Sequence, residues 1–528
     1  MKLASINKTL LGTISAAALV VGIMAATANS PKNQAEQNQP TKGQPAPSPI
    51  GLTAEMLGTK QEWLDDGAAA IKTRAERPLN TTRAKNVILF VGDGMGISTL
   101  TAARILEGQL RGEPGEENYL SFEKFPYTAL VKTYNVDSQV PDSAGTATAL
   151  NTGVKSRVGV INTAPAQPQR SCDNLAANSL TPIAVYAEQI GMSTGVVSTA
   201  RLTHATPAAV YAVSPLREWE SDANIPEGTV GCTDIAQQLL GALGGDGLEV
   251  ALGGGRSSFQ PEGIGKGRRI DGRNLIDEWI ASKAGATYVA DSDQLAATDI
   301  SKTSRLLGLF DDSHMDFELD RIARPSMEKI QPKLADMTET AINMLAKNND
   351  GYYLMVEGGR VDHGHHAGNA QRALNDAVAL SEAVAKAVSM VDLSETLILV
   401  TADHSHVFTM AGYPRRGNPI FGLVRPAALM GDDHTLATDG KPYTTLGYHN
   451  GKGAFEGERP ALTDAEAESE DHMQQAAIPT RSETHGGEDV ALFAVGPWAH
   501  LATGTMEQNV VFHIIDHALD LRKRAAQK

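Results

Sequence analysis

Cysteine is scarce in this chain of 528 residues: only 2 are present, which excludes a disulfide-dense scaffold. The 50 glycines follow no period, so a collagen-like chain is excluded, and no internal repeat is present. Basic charge is in deficit. The 46 Lys and Arg against 62 Asp and Glu leave a net −16, the wrong footprint for a protein that grips a nucleic-acid backbone. Beyond Met24 there is no long uncharged apolar run, so no spanning helix is expected. What remains is ordinary globular composition, 41% hydrophobic and 20% charged, long enough for one large domain or a few small ones.

The N-terminus reads as an address. Lys2 and Lys8 precede an apolar run from Leu10 to Met24, and Ala26-Thr27-Ala28 supplies a small-x-small cleavage site, so residues 1–28 are expected to be a signal peptide. Residues 29–50 are Pro-, Gln- and Asn-rich and read as a disordered linker. The C-terminus carries no hydrophobic anchoring tail. The expected product is exported, periplasmic or secreted, with no membrane anchor. In an oxidising compartment Cys172 and Cys232 are expected to pair, the alternative being two buried thiols.

From residue 51 onward, short apolar runs alternate with helix-length segments. The runs are Asn86–Val91, Thr194–Ser198, Leu248–Leu252, Tyr352–Val356, Thr396–Val400 and Val490–Val495, and Gly364–Val391 is one of the helical segments. Continuous apolar strands separated by helices predict an α/β fold: a central, mostly parallel sheet flanked by helices on both faces. Residues 419–479 break the alternation and read as an insertion of short strands and loops, with disorder the alternative for Thr463–His472.

Three of these strands run into metal-type ligands. The first leads into Asp93 of GDGMG, another into Glu357 and then Asp362, His363, His365 and His366 of EGGRVDHGHH, and a third into Asp403, His404 and His406 of TADHSH. His485 lies in ETHGGED, before a further strand, and seven of the 14 histidines sit in such strand-end segments. Open parallel sheets collect ligands beyond the carboxyl ends of their strands, and carboxylate with imidazole is a zinc donor set. Asp362 and His366 are four apart and share a face if a helix begins there. Taken singly, Asp93 or Asp403 also reads as a helix N-cap, and the histidines of 363–366 as a solvated patch. The glycines around Asp93 fail as a dinucleotide fingerprint on spacing and on charge.

Ser143, in PDSAGTATA, is the candidate nucleophile, at a helix start where backbone N–H groups point at an anion; alone it also reads as an N-cap. No G-x-S-x-G elbow surrounds it, so a Ser-His-Asp hydrolase is not supported.

VGDGMG, PDSAGTAT, EGGRVDHGHH, TADHSH and ETHGGEDVA, in this order, resemble alkaline phosphatase over almost all of the mature chain, closest to the animal-type branch. The resemblance implies residues 51–528 as one catalytic domain, with 419–479 as its crown insertion. It implies two Zn2+ per subunit, one on Asp362, His366 and His485 and one on Asp93, Asp403 and His404, and one Mg2+ on Asp93, Thr206 and Glu357. Ser143 would be phosphorylated and Arg217 would grip two phosphate oxygens, with His204 and His363 behind the phosphate where well-studied bacterial relatives have Asp and Lys. The substrates implied are phosphate monoesters. A homodimer is implied as well, with Tyr413 reaching toward the partner's site and Trp63–Ala69 in an embracing arm. The calcium site of animal enzymes is not expected to survive, because Arg324 precedes Pro325 where an Asp should stand.

Competing readings have discriminators. A sulfatase of the same superfamily needs a C/S-x-P-x-R nucleophile segment, which is missing here. A phosphodiesterase or nucleotide pyrophosphatase uses Thr and lacks the magnesium set. A non-catalytic exported zinc or phosphate carrier would not turn over an aryl phosphate.

Overall fold

A computed structural model of the chain describes residues 58–241, 245–323, 331–427 and 433–528. The expected signal peptide (1–28), the expected linker (29–50) and the Arg324-Pro325 pair lie outside the described residues. Each apolar run forms a strand, and the central ones are buried along their whole length because helices cover both faces. The first eight strands of the chain are β1 (Asn86–Gly92), β2 (Tyr127–Lys132), β3 (Ser193–Arg201), β4 (Val250–Gly254), β5 (Ala286–Val289), β6 (Arg305–Leu309), β7 (Tyr352–Gly358) and β8 (Thr396–Ala402). Shorter strands β9 (Ser405–His406), β10 (Phe408–Met410), β11 (Leu446–Gly451), β12 (Ala476–Pro479) and β13 (His485–Gly486) precede β14 (Val490–Val495) and β15 (Gly504–Glu507).

Ten strands make one sheet in the order β15-β2-β14-β8-β1-β7-β3-β4-β6-β5. All pairs are parallel except those of β14, which opposes both β2 and β8. No residue of β1, β7 or β8 is exposed. Their register positions the site. Gly92 of β1 is level with Ala402 of β8 and Gly358 of β7, so Asp93 and Asp403 emerge side by side, with Glu357 one residue below. Neighbouring strands lie about 4.8 Å apart, so carboxylates issuing at one level must converge.

The helix expected over Gly364–Val391 is two helices, Arg360–His366 and Ala370–Met390. Gly368 separates them at φ 72°, a left-handed conformation that a side chain resists, and Asn369 then caps the second helix through the Arg372 N–H. The break lets the short helix aim Asp362 and His366 inward while the long one packs under the sheet.

Within 419–479, β11 and β12 join β10 in a three-stranded sheet. The acidic stretch carries a helix, Asp464–Ala467, closed by a Thr463–Glu466 capping box and tied down by Arg425 to Asp464 (2.7 Å) and Arg372 to Asp471 (2.8 Å). Cys172 and Cys232, 60 residues apart, form a disulfide. Among the described residues no helix is long and apolar enough to cross a membrane.

Candidate active site

Ser143 opens the helix Ser143–Thr152, whose every residue is buried. Asp142 caps it, its carboxylate accepting from the N–H groups of Gly145 (3.2 Å) and Ala144 (3.3 Å). Ser143 is 2% exposed, and its Oγ lies 3.0 Å from His404 Nε2. The other ring nitrogen of His404, Nδ1, donates to the Ser405 carbonyl (3.2 Å), which leaves Nε2 with an inward lone pair. That lone pair also lies 3.2 Å from Asp93 Oδ1 and 3.5 Å from Asp403 Oδ2. Asp93, Asp403 and His404 thus present ligand atoms all within 4.8 Å of one another, next to the serine hydroxyl.

Asp403 is held by the N–H groups of Gly94 (3.1 Å) and His404 (2.9 Å) and by the Thr146 hydroxyl (3.2 Å). Gly94 turns the chain at φ 71°, and a Cβ there would strike the His406 ring.

Asp362, His366, His406 and His485 form a second cluster of the same tightness. His366 Nδ1 donates to the Glu483 carbonyl (2.7 Å) and His485 Nδ1 to the Pro141 carbonyl (2.8 Å), fixing both tautomers. Both Nε2 lone pairs consequently point inward. They lie 3.0 Å apart, and each is 3.3 Å from Asp362 Oδ1. Two lone pairs and a carboxylate oxygen facing one point repel unless a cation sits among them.

Asp93, Glu357 and His204 make a third cluster, and Thr206 lies two residues beyond His204 in sequence. Both oxygens of Asp93, Oε1 of Glu357 and Oγ1 of Thr206 are buried without a hydrogen-bond partner. Burial, reinforced by the charges of Asp403, Asp362 and Glu357, pushes the Asp93 carboxyl well above the usual range. Burial likewise pushes Glu357 up to about 7, against a hydrogen bond from Ser198. Acids that resist ionisation beside orphaned oxygens fit divalent cations, which would hold them as carboxylates. Oxygen donors from Asp, Glu and Thr suit a hard ion; the nitrogen-rich Asp362, His366 and His485 set suits zinc, and Asp93, Asp403 and His404 make a mixed carboxylate and imidazole set that zinc also accepts.

Arg217 enters from the loop after the short helix Ala205–Ala208. Its Nη1 meets Asp142 Oδ2 (3.2 Å) and its Nη2 meets His204 Nε2 (2.9 Å), so the fork is fixed on the Ser143 side of the pocket. Burial, with Arg217 as the next cause, holds His204 well below the usual imidazole range. Burial holds His363 down at about 3. Both are neutral, and each keeps a buried Nδ1 with no partner.

Four site residues are assigned to no ion and no chemical step in the sequence reading, although His406 stands among its metal-type ligands. His406 bridges Asp362 Oδ1 (2.9 Å) to Glu483 Oε2 (2.6 Å), an outer layer that orients the Asp362 carboxylate. The third and fourth are Asp142 and His314. His406 alternates with His404 in TADHSH, which was its signal, and Asp142 adjoins Ser143. Glu483 opens the ETHGGEDVA motif, in which only His485 is given a role, and His314 has no local pattern because its partners are far away in sequence.

Residues 84–521 match the family model for alkaline phosphatase. The chain is 44% identical over 489 residues to the tissue-nonspecific alkaline phosphatase of Felis catus, covering 88% of this chain and 90% of that one. It is 46% identical over 457 residues to the corresponding isozyme of Gallus gallus, covering 83% and 85%. The solved alkaline phosphatase of Thermus thermophilus is similar in structure, with a TM-score of 0.60 at 25% identity, covering 86% of this chain and 97% of that one. The sheet and the clusters at its strand ends are those of a phosphate monoester hydrolase with candidate metal-binding sites. More narrowly, the chain belongs to the alkaline phosphatase family.

Proposed function

We propose that this protein cleaves phosphate monoesters to an alcohol and inorganic phosphate through a phosphoserine at residue 143, with two Zn2+ and one Mg2+ bound. Asp362, His366 and His485 would hold one zinc, Asp93, Asp403 and His404 the other, and Asp93, Glu357 and Thr206 the magnesium. When bound, the three ions supply positive charge that neutralises the ester, lowers the pKa of an attacking oxygen and stabilises the leaving one.

The observation that carries the reading is the position of the Ser143 hydroxyl. It points into a ring of buried carboxylates and inward lone pairs with the Arg217 guanidinium at one side, and such a site repels a dianion unless cations reverse its field. The chain's own residues then have separable tasks. Asp142 fixes the helix start and so the Ser143 rotamer. Ser143 Oγ forms its bond to phosphorus as the bond from phosphorus to the alcohol oxygen breaks; the Oγ proton ends, in net, on the departing alcohol, and water then cleaves the phosphoserine to free Ser143 and inorganic phosphate. His404 Nε2 has one lone pair, and with that lone pair given to an ion it is not the base for the Ser143 proton. Arg217 presents two N–H groups in one plane, matched to two phosphate oxygens. None of these groups touches the alcohol, which supports broad monoester specificity.

Export, with residues 1–28 as leader, and a homodimer belong to the same proposal. Disulfide pairing supports an oxidising compartment. The helix Lys60–Ala75 has no buried residue although it carries Trp63, Leu64 and Ile71, and Tyr413 is 92% exposed at φ 56°, which supports a partner covering both. The crown role of 419–479 stands with the dimer. Any calcium role is disfavoured among the described residues: both Asp311 oxygens are engaged, by Ser313 N–H (2.8 Å) and Gln331 (3.0 Å), and the Arg256 guanidinium bridges Asp312 (2.9 Å) and the Leu309 carbonyl (3.3 Å).

Aryl phosphate hydrolysis by purified protein, run beside Ser143→Ala with metal analysis of both, tests the proposal. Turnover lost with zinc retained supports it; equal turnover in Ser143→Ala overturns it.

A further inference from the structure

His314 lies on the segment after β6 and touches no proposed zinc or magnesium ligand set, yet it stands against the two imidazoles beside the phosphate-gripping arginine. Its ring centre is 4.1 Å from that of His363 and 5.3 Å from that of His204, which it meets edge-on at 80°. Its Nε2 faces Arg201 Nη1, and its Nδ1 is 3.3 Å from the Arg201 backbone N–H. A neutral imidazole has one lone pair for these two donors, and the charged guanidinium takes it. Burial, with His363 and Arg201 as further causes, holds His314 far below the usual range, so the ring stays an acceptor.

Arg201 is itself a clamp. Its Nε and Nη2 fork onto Glu220 (2.7 and 2.6 Å), and Glu220 also accepts from the Thr203 hydroxyl (2.5 Å). Thr203 adjoins His204, and Glu220 is three residues beyond Arg217. One ion pair therefore ties the segment bearing His204 to the segment bearing Arg217, and His314 docks on the guanidinium face of that tie. Through His204 Nε2 the chain of contacts ends on Arg217 Nη2 (2.9 Å).

We propose that His314 is a positioning residue for phosphate recognition: docked on Arg201, it wedges His204 and His363 so that His204 holds the Arg217 fork in its phosphate-binding plane. This rests on the assignment of Arg217 made under the proposed function. A loose fork weakens the grip on phosphate in ground state and transition state alike, which raises KM and leaves kcat nearly unchanged. The three imidazoles are also close enough to share a cation. The Arg201 guanidinium at Nε2 disfavours that use, and a metal count decides it.

The test compares wild type, His314→Ala and His314→Gln, the last keeping a carbonyl oxygen for Arg201. KM for an aryl phosphate, the inhibition constant of inorganic phosphate, kcat, melting temperature and metal content are measured on the metal-loaded proteins. His314→Ala is expected to raise KM and the phosphate inhibition constant about tenfold, with kcat within about threefold, zinc unchanged, and most of the loss restored in His314→Gln. If His314→Ala does not accumulate folded, His314→Asn, too short to reach Arg201, replaces it. A folded, zinc-replete variant with unchanged KM and phosphate inhibition overturns the inference, as does loss of a metal ion with His314. Inactive or zinc-free wild-type protein would instead overturn the parent proposal.

Discussion

Arg217→Ala tests the phosphate grip directly. The side chain is 18% exposed and anchored at both ends of its fork, on Asp142 at 3.2 Å and His204 at 2.9 Å, so it is already in place before substrate arrives. Each hydrogen bond from a guanidinium to a charged oxygen contributes about 1.5–3 kcal/mol, and two parallel bonds to phosphate therefore about 3–6 kcal/mol. At about 1.4 kcal/mol per factor of ten, Arg217→Ala should weaken phosphate inhibition roughly 10²- to 10⁴-fold. Arg217→Lys keeps the charge but offers a single point donor, so it should lose only one of the two bonds, a factor of roughly 10–150. The assay is competitive inhibition by inorganic phosphate, with zinc and magnesium quantified in each preparation. None of the ligand sets includes Arg217, so metal content should not move. A phosphate inhibition constant within threefold of wild type in metal-replete Arg217→Ala would refute the assignment, and so would a Lys variant as weak as the Ala variant.

Other outcomes are expected from the same structure. Chelation should abolish turnover; zinc should restore most of it and magnesium add to it, followed by activity against metal content. His406→Ala leaves the Asp362 carboxylate without its bridge to Glu483 and should lower zinc affinity about 10- to 100-fold, measured by competition with a chelator. Replacing Cys172 and Cys232 by Ser releases a 60-residue loop in the unfolded chain and should cost about 4 kcal/mol by loop entropy, read from the urea midpoint. Burial pushes Asp376 up to about 8, against the nearby Arg360 charge. The folded chain therefore keeps a proton that the unfolded chain releases near pH 4. Stability from this group falls as pH rises from about 4 to 8 and is level above it, so Asp376→Asn should flatten the fall in melting temperature between pH 5 and 9.

The strands and most of the site were legible because both are written locally. An apolar run such as Asn86–Val91 marks a strand covered on both faces, and the ligands follow such runs within a few residues, as Asp93, Glu357 and Asp403 do. Once three strand ends carry donors, the parallel sheet alone brings them level. Long-range pairing was not legible. The reversal of β14 depends on the partners β2 and β8, which no periodicity reveals. Glu483 reaches His406 only through the antiparallel pairing of β9 with β13, across 77 residues. Asp142 sits beside Ser143, but its pairing with Arg217 spans 75 residues, and His314 meets Arg201 across 113. The break at Gly368 was hidden in a segment whose Ala-rich face reads as continuous helix on both sides.

The central claim is that cations gathered on the Asp93, Asp362 and Glu357 clusters make the residue-143 hydroxyl a nucleophile. Rapid acid quench of the metal-loaded enzyme with labelled phosphate, followed by peptide mapping, tests it most directly. The account predicts label on the peptide holding Ser143, none after chelation, and none in Ser143→Ala that still retains zinc and magnesium. Label persisting in Ser143→Ala, or forming at the full rate in metal-free enzyme, would contradict it.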